Sequence, residues 1–224
     1  LEILAQGGGI LSTVRMTRQA SEDDLVQKAG EALGEMLSLG VTTCEAKSGY
    51  GLDRQTELRQ LAVIRRLGKE QPVELAATYL GAHAVPEEYK TQREDYIRLM
   101  TEEMIPLVAR EGLAEFCDVF CETGVFTAAE SEEILRAALA HGLEVKIHTD
   151  EIDAIGGTEL AGALPAVSAE HLIAATDRGI AALAKGGTVA VLLPATSFYL
   201  GKPYARARDM IAAGAPVAVA SDFN

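Results

Sequence analysis

Residues 143–153 read LEVKIHTDEID. A run with the look of a strand ends on His148, and Thr149, Asp150 and Glu151 follow. A strand apolar enough to be buried that stops on an imidazole and two carboxylates has two readings. Strands end and loops are polar, or the strand end carries a site. The ends of the other strands decide between them.

Working outward, helical periodicity alternates with short β-rich runs along the whole chain. Upstream, SEDDLVQKAGEALGEMLSLG has Ser21 as N-cap, acids in its first turn, an apolar face of Leu25, Ala29, Ala32, Leu33, Met36 and Leu37, and Gly40 as its stop. VTTCEAK follows as a strand, then a helix from Arg54 to Leu67 opened by Asp53, then VELAATYL. A helix from Arg93 to Arg110, disturbed at Pro106, leads to the strand AEFCDVF. The next helix carries a capping box, Thr127-x-x-Glu130, and closes on Gly142, where LEVKIH begins. Downstream, helices over Ala154–Ala163, Thr176–Ala184 and Tyr204–Ala213 alternate with AVSAEH, TVAVLLP and PVAVASD.

Seven strands joined by helical crossovers predict an α/β protein with a parallel sheet. A doubly wound sheet and a (β/α)8 TIM-type barrel both fit; polar candidates after nearly every strand favour the barrel. Such a barrel takes about 250 residues and eight strands. The 224 residues begin with Leu1 and stop at Asn224 after an apolar run. The expectation is one barrel domain over residues 1–224 that lacks its first strand and last helix.

A net charge of −13 argues against nucleic acid and anionic membranes as partners. No apolar run approaches the roughly 18–20 residues of a membrane span. The three cysteines, Cys44, Cys117 and Cys121, form no C-x-x-C pair, and the expected setting is a reducing cytoplasm. They are read as core or rim residues. GGG at Gly7–Gly9 follows no clear strand and is no dinucleotide fingerprint.

The strand ends carry Lys47, Ser48, Gly49 and Tyr50; His83; Cys121 and Glu122; His148, Asp150 and Glu151; Glu170 and His171; Pro194; and Asp222 with Asn224. Three of the four histidines lie there, and the fourth, His141, stands before a C-cap glycine where a cation suits the helix dipole. Imidazole and carboxylate suit Zn²⁺ or Fe²⁺. A metal makes water nucleophilic near neutral pH, and a nearby Glu or His can take and return its proton. The residues thus point to a metal-dependent hydrolase, without fixing which of them are ligands. Lys47 either anchors an anion or pairs with Glu45 or Glu122, and Glu122 is read as a rim acid. The glycines around Tyr50 fit either a ligand-hugging loop or an ordinary turn.

The ordered set GGGILSTVRMTR, CEAKSGYGL, YLGAHAVP, CDVFCETGVF, KIHTDE, SAEHL, AVLLP and ASDFN resembles the imidazolonepropionase family of the amidohydrolase superfamily. The resemblance implies a (β/α)8 barrel with one divalent metal, zinc or iron, and hydrolysis of the ring of 4-imidazolone-5-propanoate to N-formimidoyl-L-glutamate. It implies metal ligation by His148 and Asp222, catalysis by Glu151 and His171, and substrate binding by Tyr50, His83, Glu151 and Asn224. Thr149 and Glu170 stand where the family has Ala and Asp. The family's His-x-His ligand pair and its substrate-binding Arg match nothing in these residues. The expected partners are a small-molecule substrate and a second copy in a homodimer. Alternatives are another cyclic amidohydrolase, a nucleobase deaminase, and an inactive fragment or non-catalytic scaffold.

Overall fold

The computed structural model describes residues 9–223. They divide into two compact units, 9–117 with 140–143, and 118–139 with 144–223.

In the first unit, α1 (Ile10–Gln19) and α2 (Glu22–Ser38) precede strand β1 (Thr43–Lys47), helix α3 (Arg54–Glu70) and strand β2 (Glu74–Ala82). β1 and β2 are parallel, with Glu45 opposite Ala76 and Lys47 opposite Thr78. Ser21 caps α2 in a capping box closed by Asp24, an acid in place of the usual Glu or Gln. The apolar face of α2 packs as its periodicity predicts. Leu33 is buried with Val63, Leu67 and Val73, and Leu25, Ala29, Met36 and Leu37 pack against them. Asp53 caps α3 through the Thr56 amide at 2.7 Å.

Beyond β2 the expected single helix is interrupted. α4 (Arg93–Arg98) passes into a π-helical stretch (Leu99–Met104) and then α5 (Ile105–Arg110). The disturbance falls on the six residues before Pro106 is reached, and its cause is that proline. Pro106 has no N–H for the Glu102 carbonyl, and its ring crowds that carbonyl, so the preceding turn widens. Met100, Met104 and Ile105 remain buried through the wide turn.

β3 (Phe116–Cys121) begins in the first unit, where the Glu115 amide donates to the Ala77 carbonyl at 2.9 Å, and runs on in the second. There α6 (Ala128–Ala140), β4 (Glu144–Thr149), α7 (Gly157–Ala163), β5 (Ser168–His171), α8 (Asp177–Gly186), β6 (Val189–Leu192), α9 (Pro194–Tyr199), α10 (Ala207–Ala212) and β7 (Val217–Val219) follow. From β3 to β7 the strands are neighbours in chain order, and β4 through β7 pair in parallel. β4 is buried on both faces beyond its first residue, as a strand covered by helices must be. Three elements differ from the sequence reading. The helix expected from Tyr204 starts only at Ala207. The helix expected from Ala154 starts only at Gly157, after a left-handed Gly156. Pro194 does not merely end a strand but opens α9, because its fixed φ and missing N–H suit a first turn. Among the described residues no helix is long and apolar enough to cross a membrane.

Leu67 is 2% exposed at the centre of the α2–α3 packing. In equilibrium urea unfolding, Leu67→Ala should lower stability by about 2–5 kcal/mol, because a lost side chain leaves a cavity as well as losing its burial. Ser21→Ala, at the exposed cap of α2, should lower it by only about 1 kcal/mol.

Candidate active site

In the second unit the register decides which side chains meet. His148 stands opposite Glu170, and Thr149 opposite His171, across the β4–β5 pair. Directly opposed residues of paired strands point to the same face, so His148 and Glu170 lie side by side. Asp118, from the middle of β3, joins them, with a carboxylate oxygen 2.9 Å from His148 Nδ1. One donor atom from each of Asp118, His148 and Glu170 lies within 4.8 Å of the others, and all three residues are buried. The Phe120 ring packs edge-on to His148 at 6.2 Å between centroids.

Strand alternation would send His171 to the face opposite Glu170. Its backbone instead turns left-handed, with φ 74, followed by Leu172 at φ 58. The His171 ring ends 5.4 Å from that of His148, and its Nδ1 lies 3.8 Å from Glu151 Oε1. Glu151 is half-buried, and burial pushes its carboxyl up from the usual range. The negative charge of Asp222 pushes it the same way, and His148 opposes both. Asp222, also left-handed at φ 55, is exposed and accepts a hydrogen bond from the Thr196 hydroxyl at 3.0 Å. The structure therefore groups His148, Glu151 and His171 by contact and places Asp222 within electrostatic reach of Glu151. Asn224 lies outside the described residues.

Asp150 sits at φ 52 with no exposed surface. It accepts from the hydroxyls of Thr149 and Thr158, while its carbonyl takes the Ala174 amide at 2.7 Å. Burial pushes its carboxyl up, and the two hydroxyls act against that. Its work is to join the end of β4 to α7 and to the turn after β5.

In the first unit Tyr50 and His83 meet edge to face, with ring centroids 5.0 Å apart. His83 Nδ1 lies 3.0 Å from the Gly49 carbonyl oxygen. The loop that presents Tyr50 is shaped by Glu57 on α3. This buried carboxylate accepts from the amides of Gly49 at 3.0 Å, Gly51 at 2.8 Å and Leu52 at 2.9 Å. The glycines are needed for packing. Gly49 has φ 108, and a Cβ there would meet the Leu80 carbonyl oxygen at 2.8 Å; one on Gly51 would meet the Glu57 amide nitrogen at 2.7 Å. Lys47 pairs with Glu45 at 2.6 Å, one of the two partners the sequence allowed.

Asp118 was not singled out from the sequence. The signal was present, since an aspartate in the middle of FCDVF cannot be buried in a strand without a partner. What the sequence could not show is that the partner is His148. If the proton on Nδ1 faces Asp118, Nε2 keeps its lone pair for a metal, an arrangement that recurs around metal-bound histidines. Two buried carboxylates beside that imidazole add negative charge that suits a divalent ion on Nε2.

Seven strands in chain order accord with the barrel class expected from the sequence, and solved deaminases share this fold over about half to two thirds of their length. A 5-methylcytosine deaminase from Klebsiella pneumoniae superposes with a TM-score of 0.73 over 93% of this chain and 55% of its own, at 17% identity. An adenosine deaminase from Xanthomonas campestris with bound zinc superposes at 0.64 over 99% of this chain and 50% of its own, at 16% identity. In sequence the chain is similar to imidazolonepropionase from Bacillus velezensis, 55% identical over 225 residues, which cover 100% of this chain and 53% of that protein. The chain thus spans about half the length of the curated relatives it matches. No family model matches it.

The cysteines are buried or half-buried thiols, and none of them is in a disulfide. Burial pushes the Cys121 thiol up to about 11, against the pull of the Ser131 and Thr149 hydroxyls, and pushes Cys44 up as well. A thiol reagent at pH 7–8, read by peptide mapping, should label Cys121 and Cys117 only after denaturation, because the thiolate is the reactive form. Rapid labelling of native Cys121 would contradict this account of its surroundings.

Proposed function

We propose that the protein carrying this chain is an imidazolonepropionase. It hydrolyses 4-imidazolone-5-propanoate to N-formimidoyl-L-glutamate with the help of one divalent metal, zinc or iron. The observation that carries this reading is the 55% identity to an imidazolonepropionase across the entire chain. The geometry of the second unit supports it, because an imidazole, a carboxylate with a raised pKa and a second imidazole stand together at the ends of β4 and β5. The deaminases share the fold at 16–17% identity and favour no second reading.

In this reading His148, through Nε2, and Asp222 hold the metal, and Asp118 and Glu170 flank the imidazole. When bound, the metal supplies positive charge that polarises the scissile carbonyl and acidifies water. The bond that breaks is the ring C–N bond beside the carbonyl. Water delivers its oxygen to the carbonyl carbon, and its proton goes to the leaving nitrogen. Glu151 carries that proton between them on a carboxylate oxygen, and the burial that raises its pKa suits it to do so. His171, with Nδ1 3.8 Å from Glu151, stands beside the attacking water and faces the charge that develops there. Tyr50, His83 and Asn224 bind the substrate, with Tyr50 presented by the loop that Glu57 organises. The reading includes a cytoplasmic location and a homodimer. The charge of −13 disfavours nucleic acid and anionic membranes as partners.

In the intact protein, Glu151→Gln should retain its metal and lose turnover of the imidazolone by about 10²–10⁴-fold, the usual contribution of a general acid–base group. Metal analysis is run beside the assay. A loss of less than about tenfold would remove Glu151 from the proton transfer, and a loss of metal would make it a ligand.

A further inference from the structure

Glu122, at the end of β3, is 1% exposed and has no part in the chemistry above. One carboxylate oxygen accepts from the Thr123 amide at 2.8 Å and the Asp153 amide at 3.2 Å, and the other accepts from the Ile152 amide at 2.9 Å. Ile152 and Asp153 are the two residues directly after Glu151, in the segment between β4 and α7. Glu122 is itself held firmly, since its amide donates to the Phe126 carbonyl at 3.0 Å and its carbonyl accepts from the Val125 amide at 2.9 Å. A carboxylate on a fixed turn thus grips the backbone just past the proposed base. We propose that Glu122 is a positioning residue: it holds the Ile152–Asp153 backbone so that Glu151 meets the attacking water in one orientation.

The physical case rests on what the segment would otherwise do. Neither amide belongs to a strand or a helix, so neither has a ladder partner. Without an acceptor they would turn to water, and the segment would sample other conformations. Hydrogen bonds to a carboxylate are shorter and stronger than neutral ones. Two consecutive amides held on the two oxygens of one carboxylate restrict the dihedrals that aim Glu151. Displacement of a catalytic group by about 1 Å can cost about 10²-fold in rate. Glu151 shares the substrate contacts with Tyr50, His83 and Asn224 but carries the proton alone, so the larger effect should fall on kcat.

This inference rests on Glu151 acting as the base, and the experiment separates the two claims. In the intact protein, Glu122→Ala, Glu151→Gln and the double variant are assayed with 4-imidazolone-5-propanoate. Metal content and amide hydrogen exchange at Ile152 and Asp153 are measured on each. Glu122→Ala should lower kcat by about 10–100-fold, change KM by less than kcat, leave metal content nearly unchanged, and speed exchange at both amides. Glu122→Gln keeps one acceptor oxygen and should fall between the parent and Glu122→Ala; it carries the test if the alanine variant does not fold. The double variant should be no slower than Glu151→Gln alone, because a positioning residue has nothing left to position. Losses that multiply in the double variant, unchanged exchange, or parental kcat with loosened amides would each overturn the role of Glu122. Full turnover in Glu151→Gln alone would overturn the base assignment, and this role with it.

Discussion

An amide just past the end of a parallel strand has no ladder partner, and wherever it is shielded from water it must find another acceptor. An unsatisfied one costs about 1–3 kcal/mol. This chain meets that constraint with carboxylates. Glu57 gathers the amides of Gly49, Gly51 and Leu52 in the first unit. Glu122 gathers those of Thr123, Ile152 and Asp153 in the second. Burying an anion is unfavourable, as the upward shift of Glu57 records, but backbone donors offset part of that penalty. In return the loops after β1 and β4 are held by side chains on neighbouring elements, and both loops carry proposed functional residues.

The second constraint is backbone strain. Non-glycine residues rarely adopt positive φ. Here Asp150, His171, Leu172 and Asp222 do so at or just past the ends of β4, β5 and β7, and Leu52 does so beside the Tyr50 loop. Such conformations persist only where their surroundings impose them. For His171 the consequence is direct, because a regular strand would have turned its ring away from His148. Asp150 is held in its turn by two threonine hydroxyls and the Ala174 amide, which locks the exit of the strand that carries His148.

Much of this was legible beforehand, and for physical reasons. Capping at Ser21, Asp53 and Thr127, the α2 face and the seven strands are local properties, set by side chains that bond or pack within a few residues of themselves. Elements that depend on a competing backbone effect were harder to read. The widened helix before Pro106 and the helix opened by Pro194 follow from one residue type acting in opposite ways, a break inside a helix and a start at its first turn.

The sequence by itself determined that the chain alternates strand and helix, and that His148, Glu151, His171 and Asp222 stand at strand ends, because period and order along the chain suffice for both. Only the tertiary structure decided who meets whom. The β4–β5 register set Glu170 beside His148, and the approach of β3 brought the Asp118 carboxylate to its Nδ1. Glu122 changed from a rim acid into the clamp on the Glu151 loop through contacts 30 and 31 residues away in sequence. Pairing across that distance depends on strand register and backbone direction, which no pattern local to either segment encodes.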